Sequence, residues 1–400
     1  MTITRRSFLR ASAAFGALAP ATGSLGATRD PRLITIVLRG ALDGLSAVAP
    51  IGDPAYAALR GELALSKGGG NPALALDSFF ALHPALPNLA RLYQARQALV
   101  VHAAASPYRG RSHFEGQDML ESGLAGPGRA DSGWMNRLLQ ALPAGKSSGR
   151  QGQDGLAVGF TTPLIMRGPA PVLGWAPQSL KAQDGLAERV LALYQHADPT
   201  LGEALARGLD TNRMAVNASK TMEQPGPGAG QAHAAMVQTA EGAARLLAQA
   251  NGPRIAALAF DGWDTHINEG ARLAQLLGGL DAAMATFERT LGARWADTAI
   301  LVVTEFGRTV KINGTVGTDH GTGGIAFLAG GAVKGGRVMT DWPGLAPAQL
   351  FEGRDLKPTT DLRAVAKGLI AEHLGVSPKA LETSIFPGSE AVRPLTGLIA

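Results

Sequence analysis

Residues Thr298 to Gly321 read TAILVVTEFGRTVKINGTVGTDHG, and this stretch decides the fold. The run Ala299-Ile300-Leu301-Val302-Val303 is apolar and rich in β-branched residues, the composition of a strand buried on both faces of a sheet. Glu305 and Arg308 follow at once, then a Gly/Asn loop, then Thr318-Asp319-His320-Gly321. In open α/β sheets, ligands bind just beyond the carboxyl ends of strands. Carboxylates, a guanidinium and an imidazole gathered there read as a site rather than a solvated turn.

Working outward, two more apolar runs end in the same way. Residues 33–38 lead into Arg39-Gly40-Ala41-Leu42-Asp43-Gly44, and 255–260 lead into Asp261-Gly262-Trp263-Asp264-Thr265-His266. A fourth run, 98–103, is followed by the loop 106–111 and a helix that starts near Ser112-His113 and continues to about Ser122. Further helices are expected at 86–97, 134–142, 185–196, 201–216, 232–250, 269–291 and 361–373, the last capped by Thr359 or Thr360. Short strands are expected at 156–160 and 171–175, as a subsidiary sheet, and at 325–330 and 337–340. The segment 224–230, QPGPGAG, reads as a flexible break. Alternating strands and helices predict an α/β fold, a doubly wound and mainly parallel sheet flanked by helices, with a small subsidiary sheet. One domain is expected over 28–400, with irregular insertions at about 123–230.

The N-terminus reads differently. Thr4-Arg5-Arg6-Ser7-Phe8-Leu9-Arg10 precedes an Ala/Gly-rich apolar segment that ends in Leu25-Gly26-Ala27. This is the charged region, apolar region and small-residue cleavage site of a signal peptide over 1–27. Its paired arginines mark the twin-arginine type, whose partner is the twin-arginine export machinery and whose destination is the periplasm. The alternative is a basic tail before a first helix. No later stretch has the ~20 uninterrupted apolar residues of a stable membrane span. The formal charge of +5 includes Arg5, Arg6 and Arg10, with no acid before Ala27, so the remainder carries +2. With no Lys/Arg block interleaved with aromatics, this charge argues against a nucleic-acid partner. Cysteine is absent, which excludes disulfides, thiolate metal sites and a cysteine nucleophile.

The polar strand ends suggest a chemistry. Divalent cations take carboxylate oxygens and imidazole nitrogens, and Asp43, Asp264, His266, Glu305, Asp319 and His320 offer both, with His113 a further candidate. The cation could be zinc, manganese, calcium or iron. The bland readings are a turn acid for Asp43, a helix-start acid for Asp264 and an ion pair for Glu305 with Arg308. Ser112-x-x-Glu115 matches a capping box, yet a helix start also suits a hydroxyl nucleophile. Arg308 or Arg111 would steady an oxyanion. Gly-x-Ser-x-Gly is absent, as is Gly-x-Gly-x-x-Gly after the first strand, which weakens serine-esterase and dinucleotide readings.

The motifs LRGALDGLSAVAP (38–50), RSHFEGQDMLESG (111–123), FDGWDTH (260–266), TEFGRT (304–309), GTDHG (317–321) and GRDLKPTTDLRAV (353–365) run in one order with the twin-arginine start. In this the chain resembles the exported domain-of-unknown-function family 1501. Ala41 stands where a second glycine is expected. The resemblance extends distantly to the alkaline phosphatase and sulfatase superfamily. It implies an alkaline-phosphatase-like fold with a metal site at strand ends, Asp43 matching the acid after the first strand and Ser112 the hydroxyl. It points to a metal-dependent hydrolase of phosphate or sulfate esters, or else to a non-catalytic periplasmic binding or envelope-associated protein on the same fold.

Overall fold

The computed structural model describes residues 29–126, 128, 130–142, 154–177, 190–191, 194, 198–217 and 231–400. The expected signal segment, the break at 224–230 and most of the helix at 185–196 lie outside the described residues. Pro31–Ala400 forms one unit. Its strands are β1 (Arg32–Leu38), β2 (Val48–Ala49), β3 (Leu74–Ala75), β4 (Ala81–Leu82), β5 (Ala98–Ala105), β6 (Gly155–Val158), β7 (Val172–Trp175), β8 (Ile255–Phe260), β9 (Thr298–Thr304), β10 (Gly324–Ala329), β11 (Val338–Met339) and β12 (Thr360–Asp361). The main sheet runs β11-β5-β10-β9-β1-β8-β6-β7, with β12 also on β5, and β2-β4-β3 form a separate small antiparallel sheet.

Every residue of β1, β5, β9 and β10 is buried, as their largely apolar runs require of strands covered on both faces. Alternate residues of β1 serve opposite layers. Ile34, Ile36 and Leu38 pack on the side of the helices Gln231–Ala248 and Glu269–Leu291. Leu33 and Val37 pack on the side of Trp134–Ala141 and Leu362–Leu374. The period of two along one strand therefore produces a doubly wound sheet.

Register positions the site. β1 pairs in parallel with β8 and β9, and Leu38 lies opposite both Phe260 and Thr304, so three strands end at one level. β10 departs from the parallel pattern by running antiparallel to β9 and β5. Its beginning thus lies at the edge where its neighbours end, and the Asp319-His320 pair just before it arrives there too. The turn after β9 is stitched to the approach of β10 by Gly307 N→Thr322 O (2.9 Å), Gly321 N→Gly307 O (2.8 Å) and Thr309 N→Asp319 O (2.9 Å). A Cβ on Gly307 would stand 1.9 Å from the carbonyl oxygen of Gly323, so only glycine admits this approach.

Two expectations are corrected. β6 and β7 are not a subsidiary sheet: β6 pairs in parallel with β8 and extends the main one. The small sheet is built instead from three two-residue strands too short to show a period. The last long helix is capped by Asp361, whose side chain accepts from Arg363 N (2.8 Å), rather than by Thr359 or Thr360.

Candidate metal centre

Four donor groups converge at the shared strand edge. His113 opens the helix His113–Ser122, Asp264 and His266 lie in the turn after β8, and His320 precedes β10. His320 Nε2 lies 2.9 Å from His113 Nε2, 3.1 Å from His266 Nε2 and 3.3 Å from Asp264 Oδ1. Asp264 Oδ1 is 2.9 Å from His266 Nε2, and Asp264 Oδ2 is 3.5 Å from His113 Nε2. The side chains are 24–41% exposed, so the cluster opens to solvent on one side.

The far nitrogen of each ring explains the arrangement. His113 Nδ1 lies 2.8 Å from Glu305 Oε1, His266 Nδ1 lies 3.1 Å from Asp319 Oδ1, and His320 Nδ1 lies 3.0 Å from the Arg111 carbonyl oxygen. Ionised carboxylates and carbonyls only accept, so in the tautomer that satisfies these three contacts each Nδ1 carries the proton and donates. In the neutral rings all three Nε2 atoms then present lone pairs to a common space. Such an arrangement is repulsive unless a proton or a metal cation lies between the lone pairs. A zinc ion with ~2.0–2.1 Å bonds places donors roughly 3.3–3.4 Å apart, close to the 2.9–3.5 Å among His113, Asp264 and His320, whose donor atoms lie within 4.8 Å of one another; His266 joins them through His320 and Asp264. The donor set fits a divalent cation.

The surrounding charges agree. Burial raises the Asp264 carboxyl, but the Arg308 hydrogen bond and charge and the nearby imidazoles outweigh it and hold it below its usual range. Burial likewise raises Glu305, and its bonds from His113, Gln117 (3.0 Å) and Gly40 N (2.8 Å) bring it lower. The Glu305 hydrogen bond raises His113, whereas burial, then the charge of His113, lowers His320. A proton on His113 Nε2 can therefore bridge to His320, and a metal ion competes with that proton for the same space.

The expected site residues separate by role. His113, Asp264, His266 and His320 meet as donors. Glu305 and Asp319, expected as ligands, each hold an imidazole by its far nitrogen. Changing Glu305 to Gln should therefore lower zinc affinity by about 10–100-fold with the fold intact. A chelator-competition titration checks this, and an unchanged affinity would remove Glu305 from the centre.

Asp43 does not join the cluster. It caps the short helix Gly44–Ala47 through Leu45 N (3.0 Å), accepts from Ser46 Oγ (2.9 Å) and is ion-paired with the buried Arg60. Ser112 precedes the helix, but its side chain makes no cap bond; Glu115 accepts instead from Tyr108 Oη (2.5 Å), so the capping box does not form. Arg308 is 1% exposed and bonds Asp264 Oδ1 (2.6 Å), Thr318 Oγ1 (3.1 Å) and the Thr318 carbonyl. Arg111 bonds Asp355 Oδ2 (2.8 Å) and Glu352 Oε2 (2.5 Å). Both guanidinium groups are thus already engaged by carboxylates. Ala41 has φ 64°, in the left-handed region that the expected glycine would enter without strain.

Sequence reasoning missed the layer behind the cluster. Glu269 is fully buried; its Oε2 accepts from Thr318 Oγ1 (2.6 Å), which ties it through Arg308 to Asp264. Its Oε1 has no donor and lies 4.0 Å from Arg60 Nη2. Burial, then the charge of Asp43, pushes Glu269 from its ordinary 4.5 to about 9. At neutral pH the folded chain holds Glu269 protonated while the unfolded chain ionises it. That stability is complete below about pH 4.5 and is lost as pH rises towards 9. Glu269→Gln should flatten the wild-type decline between those limits in denaturation series; parallel curves would contradict a neutral Glu269.

Solved structures resemble the chain distantly. They include a protein in the alkaline phosphatase superfamily from Vibrio parahaemolyticus (11% identity, 92% of this chain and 71% of that chain, TM-score 0.43). A phosphonate monoester hydrolase of Agrobacterium radiobacter gives 12% identity over 87% of this chain and 74% of that chain, with a TM-score of 0.38. Ps i-CgsB in complex with k-i-k-neocarrahexaose gives 10%, 92% and 77%, with a TM-score of 0.44. The architecture accordingly rests on the strand order and register above. No curated protein matches the chain. The family profile described as "Protein of unknown function (DUF1501)" matches residues 95–385, a span that holds all four converging donors, and the chain belongs to that family.

Proposed function

We propose that this is an exported, metal-dependent hydrolase of phosphate or sulfate esters, and the three facing Nε2 atoms beside Asp264 carry the reading. His113, His266, His320 and Asp264 would hold the cation, with Glu305, Asp319 and the Arg111 carbonyl fixing the rings. A nitrogen-rich set suits zinc, iron or manganese better than calcium, which takes oxygen ligands. When bound, the cation supplies Lewis-acid polarisation of a phosphoryl or sulfuryl oxygen. Arg308 keeps Asp264 ionised and aimed at the cluster. Ser112, next to His113 at a helix start, is the proposed nucleophile, and the helix N-terminus favours the anion. Export rests on the Arg5-Arg6 segment, with 1–27 removed and 28–400 the mature domain. No helix among the described residues is long and apolar enough to cross a membrane.

The second reading is a non-catalytic periplasmic binding protein. The engagement of Arg111 and Arg308 by carboxylates favours it, since neither is left for an oxyanion. Turnover of 4-nitrophenyl phosphate and sulfate by zinc-, manganese- and iron-loaded protein decides between them. We expect turnover that falls at least about 100-fold in Ser112→Ala while metal content stays constant. Metal-loaded protein that turns over neither ester would leave the binding reading.

A further inference from the structure

A cleft of about 720 Å³ opens beside the cluster, between the helix His113–Ser122, the segment 158–167 and the helix Gln231–Ala248. Its floor is apolar and buried, with Val158, Met236 and Phe260 5% exposed or less. Its walls are unusual. Phe114 is 87% exposed and Phe160 77% exposed, the two most exposed large apolar side chains among the described residues, and both line this cleft. The helix carrying Phe114 already fills its core face with Gly116, Met119 and Leu120, so this ring is not needed for packing. Two unsatisfied aromatic faces over an apolar floor, in a volume suited to a small molecule, indicate a ligand surface.

Two of the residues lining the cleft tie it to the cluster. Phe114 follows His113 in the chain, and the cleft-lining Gln117 donates to Glu305, the carboxylate that holds His113. A ligand with its charged head at the cluster would therefore meet Phe114 with the next part of its body. On the opposite side, a cavity of about 540 Å³ borders Asp319 and contains Ile312 and Leu350, but among the described residues no highly exposed aromatic lines it.

We propose that the cleft binds the aromatic body of a small anion whose phosphate-like or sulfate-like head lies at the metal centre. The substrate class is then aryl esters rather than inorganic or short alkyl anions, an assignment that rests on the metal-centre reading. Phe114 and Phe160 supply stacking faces, and the floor removes apolar area from water.

Phenylphosphonate and methylphosphonate share a head and a stable C–P bond, so their comparison isolates the body. With zinc-loaded protein, calorimetry should show phenylphosphonate binding about tenfold tighter or more. In Phe114→Ala/Phe160→Ala the ratio should fall towards one, whereas Ile312→Ala, in the opposite cavity, should keep it. Equal binding of the two probes by the wild type, a preference that survives the double substitution, or one abolished by Ile312→Ala overturns the proposal. Both phenylalanines are exposed, so their loss leaves the fold intact. Zinc content measured on the same samples separates two failures. Zinc bound without a phenyl preference overturns the cleft alone, and no zinc bound overturns the centre together with the assignment that rests on it.

Discussion

Replacing His320 with Ala lowers zinc affinity by about 100-fold or more, the larger of the two effects expected at the centre. His320 Nε2 is the one donor within 3.3 Å of all three others, so its loss opens the set on every side. A four-ligand zinc site is worth ~10–16 kcal/mol, which apportions roughly 2.5–4 kcal/mol to each ligand. His320 Nδ1 bonds only a backbone carbonyl, and Arg354 reaches the His320 backbone oxygen rather than the ring, so the loop can persist without the imidazole. Chelator competition measures the affinity and circular dichroism the fold. An affinity within threefold of the wild type would show that the three Nε2 atoms do not share a cation.

The second large effect is on stability. Arg60→Met should destabilise the protein by about 3–5 kcal/mol, because it leaves the buried Asp43 carboxylate without its partner. Arg60 is fully buried, and its guanidinium bonds Asp43, Ser46 Oγ (2.7 Å) and the carbonyls of Thr309 (3.2 Å) and Val310 (3.1 Å). It thereby ties the helix Tyr56–Arg60 to the segment after β9. Burial raises Asp43, but the charge of Arg60 and bonds from its neighbours leave it below its usual range. Removing that charge reverses the balance. Adding Asp43→Asn to Arg60→Met should restore part of the loss in chemical denaturation. A loss below about 1 kcal/mol for Arg60→Met would mean that the pair is not a structural tie.

The sheet was legible where one strand's own composition decides its place. β1, β8 and β9 are continuous apolar runs, and the polar residues after each reach one edge because the three strands end in register. The direction of β10 was not legible, since a buried strand has the same composition whichever way it runs. That direction is what brings His320 to the cluster.

At the site, residue types were legible and roles were not. Glu305 and Asp319 read as ligands because a carboxylate at a strand end is the same letter whether it meets a metal or a ring nitrogen. Asp43 read as a ligand because its partner Arg60 lies across an irregular stretch without a periodic signal. In the sequence Glu269 is no more than the first residue of a long helix, and only its burial against Asp43 and Thr318 reveals a neutral carboxyl. Gln117 carried no signal of its own; its contact with Glu305 joins two elements far apart in the chain.

The most direct measurement is the metal content of protein exported natively and purified without chelator, by elemental mass spectrometry. The proposed centre predicts about one zinc, iron or manganese ion per chain, held by His113, Asp264, His266 and His320. A chain that arrives metal-free and stays so after incubation with each of these ions would contradict the centre on which the proposed function stands.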